Sequence, residues 1–345
     1  MSALRYRMLD AALARGRLPD FMLRAGSVFG AYARERAESR GGVGAQEARL
    51  NSIVETKSTG RVAEVPEAAN EQHYELPPEF LGLFLGPRRK YSGCHFERED
   101  TTLAEAEDAM LALTCERAKI ADGQRILELG CGWGSLTLWL CEHYPNAEIV
   151  AVSNANNQRE FIEGQAAERG FLNLTVITAD MNDFKPEGAF DRVVSIEMFE
   201  HMRNWKELLR RISTWLAPEG KLFVHVFSHR TLPYLFEGTW AAERFFTGGV
   251  MPSHDLLLRF ADDMAVKKSW IVPGNHYAQT LQQWLKRLDA RRDEALAILG
   301  RDGRSDQEAR ALLGGWRLFL ISTDEIWGYR GGNRWLVSHY LLESR

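Results

Sequence analysis

The sequence predicts an α/β fold, in which a Rossmann-like, doubly wound parallel sheet follows an N-terminal helical extension and carries a C-terminal substrate-side insertion. Three observations predict it. Between residues 125 and 227, short apolar segments alternate with segments of helical period, at the spacing of strand–helix units. The first strand leads into Gly130-Cys131-Gly132-Trp133-Gly134, a glycine-rich turn that opens a helix. The composition, 45% apolar and 26% charged, is that of a globular chain able to bury a large core.

Residues 1–70 are predicted to form a helical extension and a linker. In residues 1–40, apolar side chains such as Leu9 and Leu13 recur at helical spacing, and eight arginines stand against four acidic residues. This basic excess is either a solvated helical face or a surface that contacts anionic lipid or an acidic partner. Residues 41–70 are rich in Gly, Ala, Glu and Ser with little periodicity, which indicates a linker or a mobile lid.

The main domain is predicted to span 71–345. Thr102-Leu103-Ala104-Glu105 is a capping box, so a helix begins there and runs to about residue 118. Five strands then alternate with three helices; the strands are Arg125–Leu129, Glu148–Ser153, Leu174–Thr178, Arg192–Ile196 and Lys221–Phe227. The intervening helices are Leu136–His143, Gln158–Arg169 and Trp205–Leu216. Residues 230–280 are irregular and are predicted to cover the substrate side, before helices at 280–298 and 306–325 and a final strand at Trp335–Leu342.

Several protein classes are disfavoured. The net charge of −4 gives no sign of a nucleic-acid-binding surface. No apolar run reaches 18 residues and the N-terminus lacks the pattern of a secretory signal, so we expect a cytoplasmic protein. The cysteines show neither C-x-x-C pairing nor zinc-site spacing, so we expect reduced thiols and no metal site; they are Cys94, Cys115, Cys131 and Cys141.

The glycine-rich turn is the most specific local signal for a ligand. Gly130, Gly132 and Gly134 allow positive φ values and a close approach of the backbone to a ligand at the carboxyl end of the first strand. A dinucleotide is the competing ligand, and a tight turn without any ligand is the third interpretation. Glu128 precedes the turn, where its charge suits the ammonium of a methionine group, and the G-x-G-x-G spacing lacks the last glycine of the dinucleotide motif. These two features favour S-adenosylmethionine.

Further cofactor contacts are predicted after other strands. Asp180, after the third strand, can accept a hydrogen bond from the adenine amino group, and Met181 can pack on the ring. No acidic residue follows the second strand, so ribose recognition is assigned to the amides of Gln158 and Asn154, which could instead cap a helix. Two further residues complete the predicted cofactor set, namely Ser92 and Ile196.

Candidate catalytic residues follow the fourth strand. Glu197, Glu200 and His201 lie where an α/β sheet presents its active site. Methyl transfer depends mainly on positioning, but an amine acceptor must lose a proton, and a Glu or His with a near-neutral pKa can remove it. The acidic residues could instead be a helix N-terminal cluster favoured by the helix dipole. His225, on the fifth strand, faces either the ligand or the core.

Several segments carry a resemblance to a known family. They are NEQHYELPPEFL, YSGCHF, TTLAEAE, ILELGCGWGSLTL, SIEMFEHM, GGVMPSHDLLL, GNHYAQTLQQWL and GGNRWLVSHYL. Between about residue 70 and residue 342 the chain resembles the cyclopropane-fatty-acid synthase family, and within it the coclaurine N-methyltransferase-like branch. The resemblance implies a class I methyltransferase fold with an N-terminal helical cap. It also implies an acid/base set of Glu197, Glu200 and His201, and His225 matches the synthase pattern.

One departure bears on the methyl acceptor. The resemblance implies a bicarbonate-binding cysteine directly after Ser92, but here Gly93 stands there and the cysteine follows as Cys94. This favours an amine on an aromatic, tetrahydroisoquinoline-like molecule, with an unsaturated acyl chain of phospholipid as the alternative and a cofactor-binding protein without turnover as a third hypothesis. The ten tryptophans and seventeen phenylalanines suit an enclosed apolar or cationic ligand. The candidates, each of which could equally be core, are Phe199, Trp240, Phe245, Phe246 and Trp327. His73 and Tyr91 could fold over the site.

Overall fold

A seven-stranded sheet organises the chain in the computed structural model, which describes residues 6–16, 18–64, 77–301 and 303–345. The strands are β1 (Arg125–Leu129), β2 (Glu148–Ser153), β3 (Leu174–Thr178), β4 (Phe190–Ile196), β5 (Leu216–His229), β6 (Tyr234–Leu235), β7 (Val250–Met251), β8 (Met264–Pro273) and β9 (Trp335–Ser344). The large sheet has the order β3-β2-β1-β4-β5-β9-β8, and β6 pairs with β7 separately. Strands β1 to β5 are parallel, whereas β9 runs antiparallel to both β5 and β8.

Helices cover the sheet and extend beyond it. They are α1 (Arg7–Ala14), α2 (Asp20–Glu38), α3 (Gly42–Thr56), α4 (Pro78–Phe84), α5 (Leu103–Ala118), α6 (Ser135–His143), α7 (Asn156–Glu168), α8 (Trp205–Trp215), α9 (Trp240–Phe245), α10 (Gly274–Ala290), α11 (Arg292–Leu299) and α12 (Asp306–Gly328). Single 3₁₀ turns occur at Phe199–His201, Leu256–Arg259 and Tyr329–Gly332. The predicted capping box is present, because the Thr102 hydroxyl accepts from the Glu105 amide and the Glu105 carboxylate accepts from the Thr102 amide.

The predicted fold class is confirmed. Strand β1 lies between β2 and β4, so successive connections leave it in opposite directions and open a crevice at the carboxyl ends of β1 and β4. The central strands are near-continuous apolar runs because helices cover both faces of a parallel sheet, and Ile126, Leu127, Val193 and Val194 are all fully buried. For β1, β2 and β3, the predicted first and last residues are those of the structure, whereas β4, β5 and β9 are longer than predicted.

The insertion at 230–280 is more regular than its sequence suggests. Strand β8 (Met264–Pro273) pairs along the length of β9 at the edge of the sheet, in a segment that was predicted to be irregular. Lys267, Lys268 and Ser269 are exposed there, and the register shifts between Val266 and Lys268. An edge strand with an irregular register has no clean apolar alternation, which is why periodicity missed it.

The expected linker at 41–70 begins with a helix. Helix α3 (Gly42–Thr56) buries few apolar side chains, Leu50 and Ile53 among them, so its sequence shows little periodicity. Lys57 follows it and is buried, with its Nζ donating to the Met202 carbonyl oxygen at 2.7 Å. Helix α3 is therefore anchored next to the segment after β4. The predicted domain boundary near residue 70 lies within 65–76, outside the described residues.

Part of the N-terminal basic charge is used inside the molecule, through Arg24. Arg24 donates to Asp324 at 2.7 Å and to Glu325 at 2.5 Å, both on α12, and Arg317 of α12 pairs with Asp20 at 3.1 Å. These contacts fix α2 against α12, and α1 also packs on α12. In the described part of the chain, no helix has both the length and the hydropathy needed to cross a membrane.

Candidate active site

A cavity of about 360 Å³ lies in the crevice at the carboxyl ends of β1 and β4. The glycine-rich turn after β1 and the first residues after β4 line one part of it. Side chains of α2, α10 and α12 and of the insertion line the rest. The aromatic residues of that wall include Phe227, Phe236, Phe246, Tyr277, Trp284 and Trp327. One space therefore joins the predicted cofactor turn to the predicted catalytic segment.

The glycines of the turn are required for two different reasons. All three have positive φ, with 78° at Gly130, 52° at Gly132 and 79° at Gly134. A Cβ atom on Gly134 would lie 2.7 Å from Ile162 Cγ1, so this glycine allows close packing of the helix. A Cβ atom on Gly132 would meet no atom within 4 Å, so this glycine borders open space. Open space beside a cavity-lining backbone is what a bound ligand needs.

Glu128 lies in the cavity wall directly before this turn. Its Oε2 accepts a hydrogen bond from the Thr137 hydroxyl at 2.6 Å, and the residue is 2% exposed. Burial raises the pKa of this carboxyl to about 8, and the bond from Thr137 opposes the rise. A cationic ligand group at this end of the cavity would restore the ionised form.

Four buried polar atoms in the wall have no hydrogen-bond partner among the described residues. They are Trp133 Nε1, Ser135 Oγ, Gln158 Nε2 and Trp284 Nε1. The Ser153 hydroxyl donates to Gln158 Oε1 at 2.6 Å, which leaves the amide NH₂ group of Gln158 for another partner. Because buried polar groups are almost always hydrogen-bonded, these atoms indicate a polar ligand.

Four predicted cofactor residues do not line this cavity. They are Gly134, Asn154, Asp180 and Met181. Asp180 follows β3 at the same edge of the sheet, where its Oδ1 accepts from the Asn182 amide at 2.8 Å and its Oδ2 lies 3.8 Å from Arg61. Met181 packs into the apolar core beneath the sheet edge and is 8% exposed. Contacts from these residues to adenine or ribose remain predictions.

Glu197 is the acidic group that lines the cavity after β4. Its backbone has a φ of 47°, which turns the chain sharply at the end of the strand. Its Oε2 accepts from the Tyr277 hydroxyl at 2.9 Å, and its Oε1 accepts from the Gly93 amide at 3.4 Å and lies 3.3 Å from His225 Nε2. Burial raises its pKa to about 7, against the opposing effects of the Lys90 charge and of these hydrogen bonds.

The predicted pair Glu200 and His201 is separated in space. His201 lines the cavity, with its ring nearly parallel to Phe246 at a centroid distance of 6.2 Å. Glu200 is fully buried, does not line the cavity, and makes no hydrogen bond of good geometry through its carboxyl within the described chain. Burial and the neighbouring Glu197 raise its pKa well above the usual value, although nearby backbone amides oppose this. The Phe199–His201 segment is one 3₁₀ turn, so these residues do not begin a long helix.

The upstream loop reaches the cavity through Tyr91 and Ser92. Lys90 beneath it is fully buried, and its Nζ donates to the Gly93 carbonyl oxygen at 2.9 Å and to the Ser92 hydroxyl. Cys94 points away from the cavity into the core, where burial raises the pKa of its thiol to about 12. A Cβ atom on Gly93 would lie 3.1 Å from the Tyr277 ring, so the glycine makes room for Tyr277. His73 lies outside the described residues.

Of the aromatic candidates, Phe246 and Trp327 line the cavity, and Tyr277 stacks on Trp327 at a centroid distance of 4.5 Å. The other three pack in the core: Phe199 against Trp205, Trp240 against Phe245, and Phe245 against Phe319.

Comparison with known proteins shows to which family a chain with this site belongs. The family described as mycolic acid cyclopropane synthetase matches residues 63–306. The chain belongs to this family. It is 39% identical over 307 residues to (S)-coclaurine N-methyltransferase of Thalictrum flavum subsp. glaucum, which covers 87% of this chain and 85% of the relative. A crystal structure of coclaurine N-methyltransferase bound to N-methylheliamine and SAH superimposes with a TM-score of 0.93 at 35% identity, covering 97% of this chain and 99% of that one. A cyclopropane synthase of Mycobacterium tuberculosis superimposes with a TM-score of 0.68 at 25% identity, covering 82% of this chain and 99% of that one.

This member of the mycolic acid cyclopropane synthetase family is an S-adenosylmethionine-dependent methyltransferase. The cavity fits that cofactor. The open space at Gly132 admits a ligand against the backbone, Glu128 offers a carboxyl to a cationic group, and the atoms without partners on Ser135 and Gln158 offer hydrogen bonds.

Three residues of this site were not predicted from the sequence. Lys90 and Tyr277 both act on Glu197, and His339 contacts His225. Tyr277 and His339 fall within the segments that carry the family resemblance, which was the available signal, but neither stands near a strand end of the glycine-rich unit. Lys90 directly precedes one such segment, and a lone lysine there gives no signal of burial.

Proposed function

We propose that this chain transfers a methyl group from S-adenosylmethionine to the nitrogen of a secondary or tertiary amine on an aromatic, tetrahydroisoquinoline-like molecule. The observation that carries the proposal is the position of Glu197, a carboxyl with a pKa of about 7 in the same cavity as the glycine-rich turn. The similarity to coclaurine N-methyltransferase supports the same acceptor class.

The cofactor residues follow from the wall of the cavity. The backbone of Gly130 and Gly132 would face the cofactor, Glu128 its ammonium group, and Gln158 and Ser135 its polar groups. Ser92 and Ile196 also line the cavity, and Asp180 is assigned to the adenine from its place after β3. When bound, S-adenosylmethionine supplies a methyl group on a positively charged sulfur, which is electrophilic without further activation.

Glu197 would act as the general base. A secondary amine is mostly an ammonium ion at neutral pH, so its lone pair must be freed before it can attack. Glu197, whose pKa of about 7 makes the ionised form accessible near neutral pH, accepts one ammonium proton. The freed nitrogen then forms the N–CH₃ bond while the methyl–sulfur bond breaks and its electron pair stays on sulfur. His201, also in the wall, is placed to share in moving that proton.

The aromatic wall would hold the acceptor close to Glu197. Tyr277 and Trp327 stack on one another, and Phe246 lies next to His201. Ring faces attract a cation such as the methylated ammonium product by about 0.5–2 kcal/mol each. A planar aromatic acceptor can also stack on these rings. Stacking then positions its amine nitrogen, and no charged group other than the base is needed to hold it.

An unsaturated acyl chain is the second candidate acceptor. The exposed phenyl rings of α2, Phe21 at 71% and Phe29 at 69% exposed, favour it because they offer an apolar surface to a membrane. Cys94 weighs against it, since its thiol lies in the core rather than beside Glu197. Membrane contact and a cytoplasmic location both remain predictions.

The test uses methyl-labelled S-adenosylmethionine and purified protein with two acceptor pools. One pool contains tetrahydroisoquinolines and related amines, and the other contains vesicles of unsaturated phospholipid. We expect label in the amines that requires Glu197, so the Glu197→Gln variant is run beside the wild type. Label in the lipid, together with vesicle binding that weakens with salt, would overturn the proposal in favour of the second candidate.

A further inference from the structure

A chain of three hydrogen bonds leads from the surface of α5 to the proposed base. Arg117 Nη1 lies 2.8 Å from His339 Nδ1, His339 Nε2 lies 2.9 Å from His225 Nδ1, and His225 Nε2 lies 3.3 Å from Glu197 Oε1. His225 and His339 face each other in the register of β5 and β9, and both are fully buried. Each imidazole ring therefore has both of its nitrogen atoms in hydrogen bonds of this series.

Arg117, the first residue of this hydrogen-bond chain, determines the direction in which each of its bonds donates. A guanidinium group has five N–H donors and no acceptor, so Arg117 can only donate to His339 Nδ1. An imidazole whose Nδ1 accepts a hydrogen bond carries its only proton on Nε2. Burial and the nearby cations Lys90 and Arg117 lower the pKa values of both histidines well below the usual value, which agrees with neutral rings. The proton of His339 must then be on Nε2, from which it is donated to His225 Nδ1. By the same reasoning the proton of His225 is on Nε2, facing Glu197.

We propose that Arg117 is a positioning residue that fixes the tautomers of His339 and His225, so that His225 donates a hydrogen bond to the carboxylate of Glu197. His225 is then not a base or a proton shuttle, because the chain ends at a group that cannot accept a proton. The assignment of tautomers stands on the geometry alone. The effect on Glu197 as a base rests on the proposed function.

The position of Arg117 is itself fixed by the fold. Its guanidinium lies over the Trp270 ring at 5.2 Å from the centroid, and Trp270 pairs with His339 in the register of β8 and β9. Arg117 is in the last turn of α5, so its own helix and the Trp270 ring of the edge strand together hold it in place. Strand β8, which the sequence does not predict, thus supplies the ring that orients the donor.

The charged and titratable groups around this chain are few. Lys90, Cys94, Tyr277 and Glu200 lie near Glu197 besides His225, and Lys90 and His95 lie near His339 besides Arg117. Since none of these is altered by a substitution at Arg117, a change in the behaviour of Glu197 can be assigned to the chain.

The test reads the tautomers directly by long-range ¹H–¹⁵N correlation on the full-length protein labelled in histidine. His225→Gln and His339→Gln variants assign the two signals. We expect both rings to be neutral with the proton on Nε2. Arg117→Met removes the donor, so we expect His339 to lose this signature. Arg117→Lys keeps a group that can donate but not accept, so we expect His339 to retain it. A melting curve for each variant shows that the fold is intact.

A kinetic measurement accompanies it. For Arg117→Met we expect the acid limb of kcat/KM to move to higher pH by about one unit, as loss of a hydrogen bond to a carboxylate predicts, with cofactor affinity unchanged. Protons on Nδ1 in the wild type, or unchanged tautomers in Arg117→Met, would overturn the inference. Correct tautomers with no methylation of any amine would instead refute the proposed function and leave the assignment of tautomers standing.

Discussion

At the scale of single residues, two glutamates three positions apart have different environments, and we propose different roles for them. Glu197 faces the cavity with a pKa of about 7, while Glu200 is buried with a pKa well above its usual value. Burial favours the neutral form of Glu200, which glutamine imitates. Glu197→Gln, in contrast, removes the proposed base, which must be ionised to accept a proton.

We expect Glu197→Gln to lower turnover of a secondary amine by about 10²–10⁴-fold, the usual contribution of a general base. Cofactor affinity should change little. In the wild type, kcat/KM should rise with pH through an acid limb near pH 7, because only the ionised carboxyl accepts a proton, and this limb should vanish in the variant.

Glu200→Gln is the matched control, and we expect it to keep turnover within about fivefold and to keep the acid limb. Steady-state rates between pH 5.5 and 9 measure both variants. If the limb were lost in Glu200→Gln and kept in Glu197→Gln, the roles of the two carboxyls would be reversed.

The carboxyl of Glu128 should make cofactor binding depend on pH. Its pKa is raised to about 8 by burial, and a cationic cofactor group beside it would favour the ionised form. Binding below pH 8 should then release a proton, so cofactor affinity should rise with pH, by up to tenfold per unit, and become constant above about pH 8. Titration calorimetry in two buffers of different ionisation enthalpy counts the proton. Glu128→Gln should bind more weakly, with no dependence on pH in this range.

A wild-type affinity that stays constant from pH 6 to pH 8 would place the cationic end of the cofactor elsewhere.

The sequence predicts that residues at strand ends of the glycine-rich unit come together, because strand order alone brings those ends together. Glu197 and Glu128 were predicted in this way, and both line the cavity. Whether a carboxyl faces the cavity or the core is decided by a φ of 47° at Glu197, which no spacing rule predicts. Tyr277 and His339 act on the site from 80 and more positions away, so their contacts depend on tertiary packing.

At the scale of elements, the turn between β1 and α6 is the feature on which cofactor binding depends. Gly132→Val should abolish cofactor binding, because valine disfavours a φ of 52° and its side chain would occupy the open space beside the cavity. The positive φ should also cost about 1–2 kcal/mol of stability, a modest fall in melting temperature. Calorimetric titration and thermal melts measure the two effects separately.

Gly164→Ala in the middle of α7 is the matched control. This glycine is exposed, has negative φ and has no atom near its would-be Cβ, so alanine should raise stability by about 0.5–1 kcal/mol and leave cofactor binding unchanged. Cofactor binding retained by Gly132→Val would show that the turn does not contact the ligand.

Helices and strands with a strong local sequence pattern were predicted, and those with a weak pattern were not. Strands β1 to β3 have apolar runs set between turns, and α5 begins at a capping box. Strand β8 exposes its lysines at the sheet edge, and α3 buries few side chains, so both gain their stability from partners far along the chain.

At the scale of the whole molecule, the N-terminal helix α2 forms part of the cavity wall, on the side that we propose for the acceptor. Ser27, Ala31 and Arg34 of α2 lie in its wall, while α1 and α2 pack against α12. The extension also reaches the insertion, because the Tyr6 hydroxyl donates to the Gly238 carbonyl oxygen at 3.3 Å. The cofactor turn belongs to the sheet, so the two halves of the cavity should respond differently to changes in α2.

Arg34 offers a direct test of this division. It pairs with Glu38 at 3.0 Å, lies over the Tyr234 ring at 5.0 Å, and its Nη2 donates to the Glu237 carbonyl oxygen at 3.4 Å, so it connects α2 to the insertion. Arg34→Ala should loosen that connection and raise KM for the amine about tenfold, equivalent to about 1.4 kcal/mol. Cofactor affinity should stay within about twofold, because these contacts of Arg34 are with α2 and the insertion and not with the glycine-rich turn. Arg36→Ala, two positions along the same helix, removes an exposed guanidinium that contacts Tyr32 and should change neither value. Steady-state kinetics with the cofactor and the amine varied in turn measures both constants, and an equal loss of cofactor affinity in Arg34→Ala would mean that α2 supports the whole cavity rather than its acceptor side.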